Sequence, residues 1–245
     1  MNILKLKFKS YLLPILLGFI SSNLTYIQVL KKIEEFSYNT DTAIFKEMIL
    51  NRLFVVTDFD KYEFMEGNQI YHYLGPFFMY FLAVYLSESS YLDKSKEYLQ
   101  FIASRATTQD KFIMTITKNI YLRPLIFLLS YNGMIFLLLC INDYPLEHNY
   151  THLILKICSH IVLQYFIVIG ISFFFSFIYL KLNGVLALIF SLLLLNVLIM
   201  IDVTISSANL LFYDDSFLKI EGIIFGGILF ILTSFIFRIT RIEID

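Results

Sequence analysis

Long apolar runs are the feature that most constrains how this chain can fold. The 24 residues from Ile157 to Leu180 include no Asp, Glu, Lys or Arg. A membrane-spanning helix needs roughly 17 to 25 mostly apolar residues, and such runs are too long for an ordinary soluble core. Charged residues make up only 16% of the chain, against about 25% in a typical soluble domain. The sequence therefore predicts an all-α membrane protein.

Six apolar runs are predicted to be transmembrane helices, which together form a single transmembrane domain over residues 1–245. The runs cover approximately residues 11–30, 70–86, 120–141, 152–180, 185–201 and 222–237. A cleaved signal peptide is the alternative for the first run. Its apolar part is about 20 residues long and no A-x-A site follows, so a retained span is favoured. The two longest connections are an outer segment at 31–69 and a segment at 87–119.

The distribution of lysine and arginine predicts the orientation of the chain. If the N-terminus lies inside, the inner connections carry eleven of these residues and the outer connections carry six. Cytoplasmic loops carry the excess of basic residues in membrane proteins. We therefore predict a multi-pass protein of the cell membrane with both termini in the cytoplasm. The net charge of −1 gives no electrostatic support for a nucleic-acid partner.

The polar segment between the second and third spans is predicted to form two cytoplasmic helices. The first, at 94–104, has apolar residues at the i, i+3 and i+4 spacing of an amphipathic helix. The second begins with a capping box, in which Thr107 is the N-cap and Asp110 occupies N3. Its apolar side then runs into the third span. A solvated loop with a frayed helix is the alternative.

Sequence motifs of the common enzyme classes are not found. The chain contains no G-x-x-x-x-G-K-[ST], no H-E-x-x-H and no G-x-S-x-G. We therefore do not expect an enzyme, and we expect no cofactor or metal bound by this chain. Glu147, His148 and His152 form a weak metal-ligand pattern, for which ordinary interfacial histidines are the favoured interpretation.

Uncharged polar residues and one histidine lie within the predicted spans. Hydrogen bonds between helices, worth roughly 1 kcal/mol each, are expected for Asn23, Asn132 and Asn196. His160 and Gln164 are four residues apart and share one face of the fourth span. The residues predicted to line a substrate path are Asn132, His160, Gln164 and Asn196.

Charged residues within the spans are few. Lys156 and Asp202 lie near the outer ends of the fourth and fifth spans, where both can reach water. A proton-coupled carrier usually needs a buried carboxylate near the middle of the membrane, and the sequence shows none. This argues against a secondary transporter.

Two residue pairs leave alternatives open. Gly222 and Gly226 form a G-x-x-x-G pattern in the sixth span, for which an ordinary helix contact is favoured and a dimer seam is the alternative. Cys140 and Cys158 fall in apolar runs on either side of a short loop. Two unpaired thiols are favoured, and a disulfide is possible only if the hairpin brings them together.

This layout resembles the permease subunit of an ATP-binding-cassette exporter. It is similar to the small separate permeases of Gram-positive bacteria, including those for bacteriocin immunity and peptide export. The resemblance covers nearly the whole chain and rests on the six spans, the basic N-terminus and the polar segment that contains "SRATTQDK" at 104–111. This chain departs from the pattern of those permeases in its outer segment, 31–69, where many relatives have only a short link. Its "FKEMILNRLFVV" at 45–56 is predicted to be an amphipathic helix at the outer surface, either touching substrate or forming a cap without specificity.

The resemblance implies a role for each polar segment. Residues 2–10 would form a helix lying along the membrane interface. The coupling helix that docks on an ATPase would be formed by Ser104, Arg105, Thr107, Thr108, Gln109, Asp110, Lys111 and Phe112. Arg105 and Asp110 would make its main polar contacts.

The resemblance also implies partners and a function. A separate ATPase, in two copies, would bind ATP and Mg²⁺, and a second permease subunit, the same or different, would complete the path in the lipid bilayer. The expected function is export of an amphipathic or hydrophobic substrate such as an antimicrobial peptide. The alternative is a stand-alone membrane immunity or sensor protein without transport.

Overall fold

The part of the chain that its computed structural model describes is almost entirely helical, and no strand occurs there. The described residues are 2–41, 43–54, 70–86, 88–89, 91–93, 106–204, 224, 226–232 and 235. Four of the helices are long and apolar enough to cross a membrane. These findings confirm the all-α prediction and are consistent with a membrane protein.

Helix α1 is longer than the first predicted span. It runs without interruption from Asn2 to Thr40, with Pro14 inside it, and its candidate membrane span is Tyr11–Asn39. The predicted boundary between an interface helix at 2–10 and a span at 11–30 is not marked by a break. The helix also continues into the predicted outer segment and stops at Asp41, whose φ of 57° lies in the left-handed region.

Helix α2, Lys46–Phe54, lies within the segment predicted to be an amphipathic helix. Its buried face is made of Ile49, Leu50 and Leu53, at the spacing of one side of a helix. The face packs near the end of α1. The predicted helix in "FKEMILNRLFVV" is therefore confirmed.

The second predicted span, 70–86, coincides with helix α3 and the turn that follows it. Helix α3 is Ile70–Phe81 and passes directly into a π-helical turn, Leu82–Leu86. Its apolar part, Gly75–Tyr85, is shorter than the four candidate membrane spans. Single π-turns of this kind are uncommon and occur frequently at functional sites.

Three long helices correspond to the third, fourth and fifth predicted spans. They are α4, Ala106–Ile141, α5, Tyr150–Lys181, and α6, Gly184–Thr204. The fourth and fifth predictions, 152–180 and 185–201, differ from α5 and α6 by one to three residues at each end. Helix α4 joins the predicted amphipathic helix and the third span, 120–141, into one helix of 36 residues.

The sixth predicted span, 222–237, falls partly outside the described residues. Within it, residues 226–232 are helical. This stretch packs against α4 and α5 through aromatic rings: Phe230 lies 5.8 Å from both Tyr121 and Phe173, measured between ring centroids. Six spans therefore remain a prediction, of which four have the length and composition needed to cross a membrane.

The four long helices pack one against the next: α4 packs against α1, α5 against α4, and α6 against α5. Small residues allow the closest approaches. A Cβ atom on Gly226 would lie 3.0 Å from Phe166 Cβ and 3.2 Å from the Ile167 backbone nitrogen. Gly226 therefore serves a contact within this chain, which favours the ordinary helix contact over a dimer seam at this position. Gly222 lies outside the described residues.

Hydrogen bonds define two ends of the bundle. At one end, the Tyr11 hydroxyl donates to Asn119 Oδ1 at 3.0 Å. At the other, Asn142 Nδ2 donates to the Tyr26 hydroxyl at 2.8 Å. We call these the Tyr11 end and the Asn142 end. Described parts of the connections predicted to be cytoplasmic share the Tyr11 end, while the membrane side that each end faces stays a prediction.

Candidate functional site

The best-defined polar contact inside the bundle joins two residues of the predicted substrate path. Asn132 on α4 is fully buried, and Gln164 on α5 is 2% exposed. Asn132 Nδ2 donates to Gln164 Oε1 at 3.1 Å and to the Leu128 carbonyl at 2.9 Å. Asn132 Oδ1 accepts no hydrogen bond from the described residues. The predicted hydrogen bond between helices is therefore confirmed for Asn132. Its side-chain oxygen is a buried acceptor that no described residue pairs with.

A row of polar side chains lies along α5 at multiples of four residues from Gln164, interrupted by the apolar Val168. Towards the Asn142 end lie His160 and Lys156, and towards the Tyr11 end lie Ser172 and Ser176; all are buried. Because four residues advance about 40° beyond one full helical turn, the row winds around α5. His160 and Gln164 are adjacent and buried, as predicted. The serine hydroxyls have no hydrogen-bond partner within the described residues.

Lys156 does not reach water, so that prediction is wrong. The side chain is 6% exposed, and its ammonium nitrogen lies 3.2 Å from Asn51 Oδ1 on α2. Asn51 of α2 contacts this part of α5, and the Lys156 ammonium, which the sequence placed at a span end open to water, is buried there. The sequence could not show this contact because Asn51 lies 105 residues away.

Two other predicted hydrogen bonds between helices do not occur among the described residues. Asn23 Nδ2 donates to the Phe19 carbonyl at 2.7 Å, and Asn196 Nδ2 donates to the Leu192 carbonyl at 2.8 Å. Both bonds return to the residue four positions earlier in the same helix, which satisfies an amide donor without a partner helix. Asn196 is exposed on α6, so the structure does not bring it to Asn132, His160 and Gln164.

The predicted coupling segment is described only in part. Ser104 and Arg105 lie outside the described residues. Helix α4 begins at Ala106, one residue before the predicted N-cap Thr107. The backbone of Thr107, Thr108, Gln109, Asp110, Lys111 and Phe112 is helical.

A second polar cluster, at the Tyr11 end, was not predicted from sequence. Asn119 accepts a hydrogen bond from Tyr11 and donates through Nδ2 to the Tyr91 hydroxyl at 2.9 Å. The Arg123 guanidinium lies over the Tyr91 ring, 4.7 Å from its centroid. Glu88 is fully buried and interacts electrostatically with Arg123. We call Tyr11, Glu88, Tyr91, Asn119 and Arg123 the Glu88 cluster.

Burial dominates the chemistry of Glu88. Removal from water raises the pKa of this carboxyl to about 8, and attraction to Arg123 limits the rise. Neither carboxylate oxygen accepts a hydrogen bond from the part of the chain that the structure describes. The sequence placed Glu88 just beyond the second span and Arg123 just inside the third. The available signal was their opposite charge at the edges of neighbouring apolar runs.

A third polar contact fixes the cap at the Asn142 end. Both carboxylate oxygens of Glu47 on α2 accept backbone N–H hydrogen bonds at 2.9 Å, from Glu147 and His148. The Lys46 N–H donates to the Pro145 carbonyl at 3.0 Å. Burial alone would raise the pKa of Glu47, but these hydrogen bonds outweigh it and the pKa lies below its ordinary value. Glu47 is therefore the residue that anchors α2 to the loop between α4 and α5.

Replacing Glu47 by glutamine is expected to release α2 from that loop. Glutamine offers one acceptor oxygen, so one loop N–H loses its partner, and hydrogen bonds to charged groups contribute roughly 1.5–3 kcal/mol each. Hydrogen exchange of the backbone at 46–54 should accelerate, whereas the exposed control Glu35→Gln should leave it unchanged. Because the pKa of Glu47 is lowered, this anchoring stability is present above the ordinary carboxyl pKa and is lost as pH falls through the lowered value. Unchanged exchange in the variant would exclude Glu47 as the anchor.

The histidines and cysteines near the Asn142 end form no larger site. His148 and His152 stack with ring centroids 4.8 Å apart. No group of three potential metal ligands occurs among the residues that the structure covers. Cys140 and Cys158 are both exposed and unpaired, as the favoured interpretation predicted.

Comparison of the chain with known protein families, curated proteins and solved structures finds no match in any of the three.

Proposed function

We propose that this chain is the transmembrane permease subunit of an ATP-driven exporter of the ATP-binding-cassette class. The observation that best supports this is the form of α4. The helix starts at Ala106, fourteen residues before the third predicted span begins at residue 120. Fourteen helical residues extend about 21 Å. A force applied to this projecting part reaches the span without crossing a loop.

The projecting part of α4 carries most of the predicted coupling residues. Thr107, Gln109 and Asp110 lie in its first two turns, with Arg105 immediately before it in sequence. In this proposal, a separate ATPase binds ATP and Mg²⁺ and closes as a pair of subunits. Its motion displaces α4 as a rigid element, which is an established way of coupling domains. The excess of Lys and Arg in the connections of the Tyr11 end supports a cytoplasmic location for this docking.

The substrate that suits this bundle is amphipathic or hydrophobic. The outer faces of α6 and of the 226–232 stretch carry large exposed apolar side chains, including Leu193, Val197, Ile228 and Leu232. Two permease subunits facing each other would line an apolar path to the membrane. The buried amides of Asn132 and Gln164 add a small polar element inside the bundle, where polar residues often mark substrate pathways.

Replacing Arg105 and Asp110 together by alanine is expected to uncouple the permease from its ATPase. The chain, tagged and extracted from its native membrane in mild detergent, should carry a P-loop ATPase in stoichiometric amount. The double variant should lose most of that ATPase while keeping its thermal stability, because Arg105 precedes α4 and Asp110 lies in its first two turns, before the third predicted span. Lys31→Ala with Glu35→Ala is a matched control, since it removes one charge of each sign from exposed positions on α1.

A stand-alone immunity or sensor protein is the second candidate. It is favoured by the cap, in which α2 is anchored by Glu47 to a loop that presents His148 at the surface. Such a surface could hold a toxin without any ATPase. Isolation of the unaltered chain with no ATPase, across the salt and detergent conditions tested, would contradict the permease proposal and support this alternative.

A further inference from the structure

Glu88 combines three properties that structural acids rarely share. Its side chain is fully buried. Neither of its oxygens accepts a hydrogen bond from a described residue. It also lies where several elements meet at the Tyr11 end, directly after the π-turn and beside α4. A carboxylate that only held helices together would be expected to bind backbone or side-chain donors, as Glu47 does at the opposite end.

Within the part of the chain that the structure describes, the charged and titratable groups at the Tyr11 end come from several elements. Helix α4 contributes Arg123, and α1 contributes Tyr11, which interacts electrostatically with Arg123. The segment after the π-turn contributes Tyr91 and Asp93, and Asp93 accepts a hydrogen bond from Tyr179 of α5. Arg123 is the one cation among these groups, and its charge is also placed over the face of the Tyr91 ring. Contact with an aromatic face stabilises a cation without a carboxylate.

This arrangement supports two states of similar energy. In one, Glu88 is ionised and balances Arg123. In the other, Glu88 holds a proton and Arg123 rests on the Tyr91 ring. Burial disfavours the ionised state because the carboxylate accepts no hydrogen bond from the described residues around it. The preference for the protonated state is reflected in the pKa of Glu88, which is raised to about 8.

We propose that the Glu88 carboxyl is a proton-binding site, and that it releases its proton to water when the Tyr11 end of the bundle opens. Opening admits water to the carboxyl, which restores its ordinary acidity. The O–H bond then breaks, the electron pair remains on the carboxylate and the proton passes to water. By linkage, a proton bound in the closed state and released in the open state makes low pH favour the closed state.

Movement of α4 relative to α1 would open the Glu88 cluster. Asn119 connects Tyr11 of α1 to Tyr91 through two hydrogen bonds. Arg123 lies one turn further along α4. Tyr179 connects α5 to Asp93. Displacement of α4 along or away from α1 would break the Asn119 bridges and expose Glu88. The site therefore responds to movement of the helix that projects at this end, whatever applies the force.

Infrared spectroscopy of the purified chain tests the proton directly. At pH 7 the exposed acids are ionised, so a buried carboxylic acid gives an isolated C=O stretching band. We expect this band in the unaltered chain at pH 7, a decline as pH passes about 8, and its absence in Glu88→Gln. Glu35→Gln, an exposed acid on α1, should retain it. Absence of the band from the unaltered chain at pH 7 would overturn the proposal, and this result does not depend on whether any variant folds.

Thiol labelling tests the link to opening. Leu92 is fully buried beside the Glu88 cluster and can be replaced by cysteine after Cys140→Ser and Cys158→Ser. The labelling rate of Leu92→Cys is then compared with and without Glu88→Gln, so that the change in thiolate fraction with pH cancels in the ratio. Glutamine imitates the protonated acid. The labelling rate of the protein that keeps Glu88, divided by the rate of the Glu88→Gln protein, should rise roughly tenfold or more between pH 6 and 8 and then level off. A ratio that stays constant across this range would exclude coupling between the proton and opening.

Both experiments use the chain alone, without an ATPase. The proton site can therefore be present if the permease proposal fails, and the permease proposal can hold if the proton site is absent.

Discussion

Replacing Gly18 by alanine is expected to destabilise the bundle, although alanine is the better helix former. A Cβ atom at this position would lie 2.9 Å from the Phe127 carbonyl oxygen and would also meet the Ser130 side chain. Ser130 Oγ donates to that same carbonyl at 2.8 Å, so moving it aside breaks a hydrogen bond. Helix propensity favours the variant by about 1 kcal/mol, while overpacking costs about 1–3 kcal/mol.

The same substitution at Gly133 separates packing from helix propensity. Gly133 lies in α4, the partner of α1, and a Cβ atom there meets no heavy atom of the described residues within 4 Å. Gly133→Ala should therefore leave the thermal midpoint unchanged or raise it, whereas Gly18→Ala should lower it and Gly18→Val should lower it further. Thermal unfolding in detergent measures all three. Equal midpoints for Gly18→Ala and Gly133→Ala would show that α1 does not depend on this close contact with α4.

The helices were predictable from sequence because apolar runs report directly on burial in a membrane. Helices α5 and α6 match their predicted spans within a few residues, and the helix at 46–54 lies within the segment that was predicted to be an amphipathic helix. The end of α1 was not predictable in this way. Hydropathy falls after Leu30, where the sequence continues as "KKIEEFSYNT". A helix does not have to stop where its apolar side chains stop, and α1 ends only at Thr40.

The polar contacts were less predictable because they join residues that are distant in sequence. The spacing of His160 and Gln164 placed them on one face of a helix, but it could not identify Asn132 as the partner of Gln164. Local spacing also could not show that Glu47 binds a loop 100 residues away. Asn196 illustrates the opposite error, since a polar residue within a span was assigned to the interior and lies on the exposed face. Residue type indicates that a partner is needed, whereas packing decides which partner is available.

Removal of Arg123 tests how far Glu88 depends on its neighbouring cation. Arg123 is 4% exposed, and its attraction lowers the pKa of Glu88 against the larger effect of burial. Arg123→Leu is therefore expected to raise the pKa of Glu88 above 8. Because the pKa is already raised in the folded protein, stability falls as pH rises from the ordinary carboxyl value towards 8, in the unaltered chain and in the variant alike. Below pH 8 the difference in unfolding free energy between them should stay constant.

Above pH 8 the two proteins should diverge. In the unaltered chain Glu88 is then ionised beside Arg123, so its contribution to the pH dependence ends. In Arg123→Leu the carboxyl still holds its proton when folded, and stability continues to fall by about 1.4 kcal/mol per pH unit. Unfolding free energies in detergent between pH 6.5 and 9.5 measure this divergence. Adding Glu88→Gln to the variant should abolish it, because the titrating group is gone. Divergence that persists in the double variant would assign the effect to another group and exclude a functional pairing of Glu88 with Arg123.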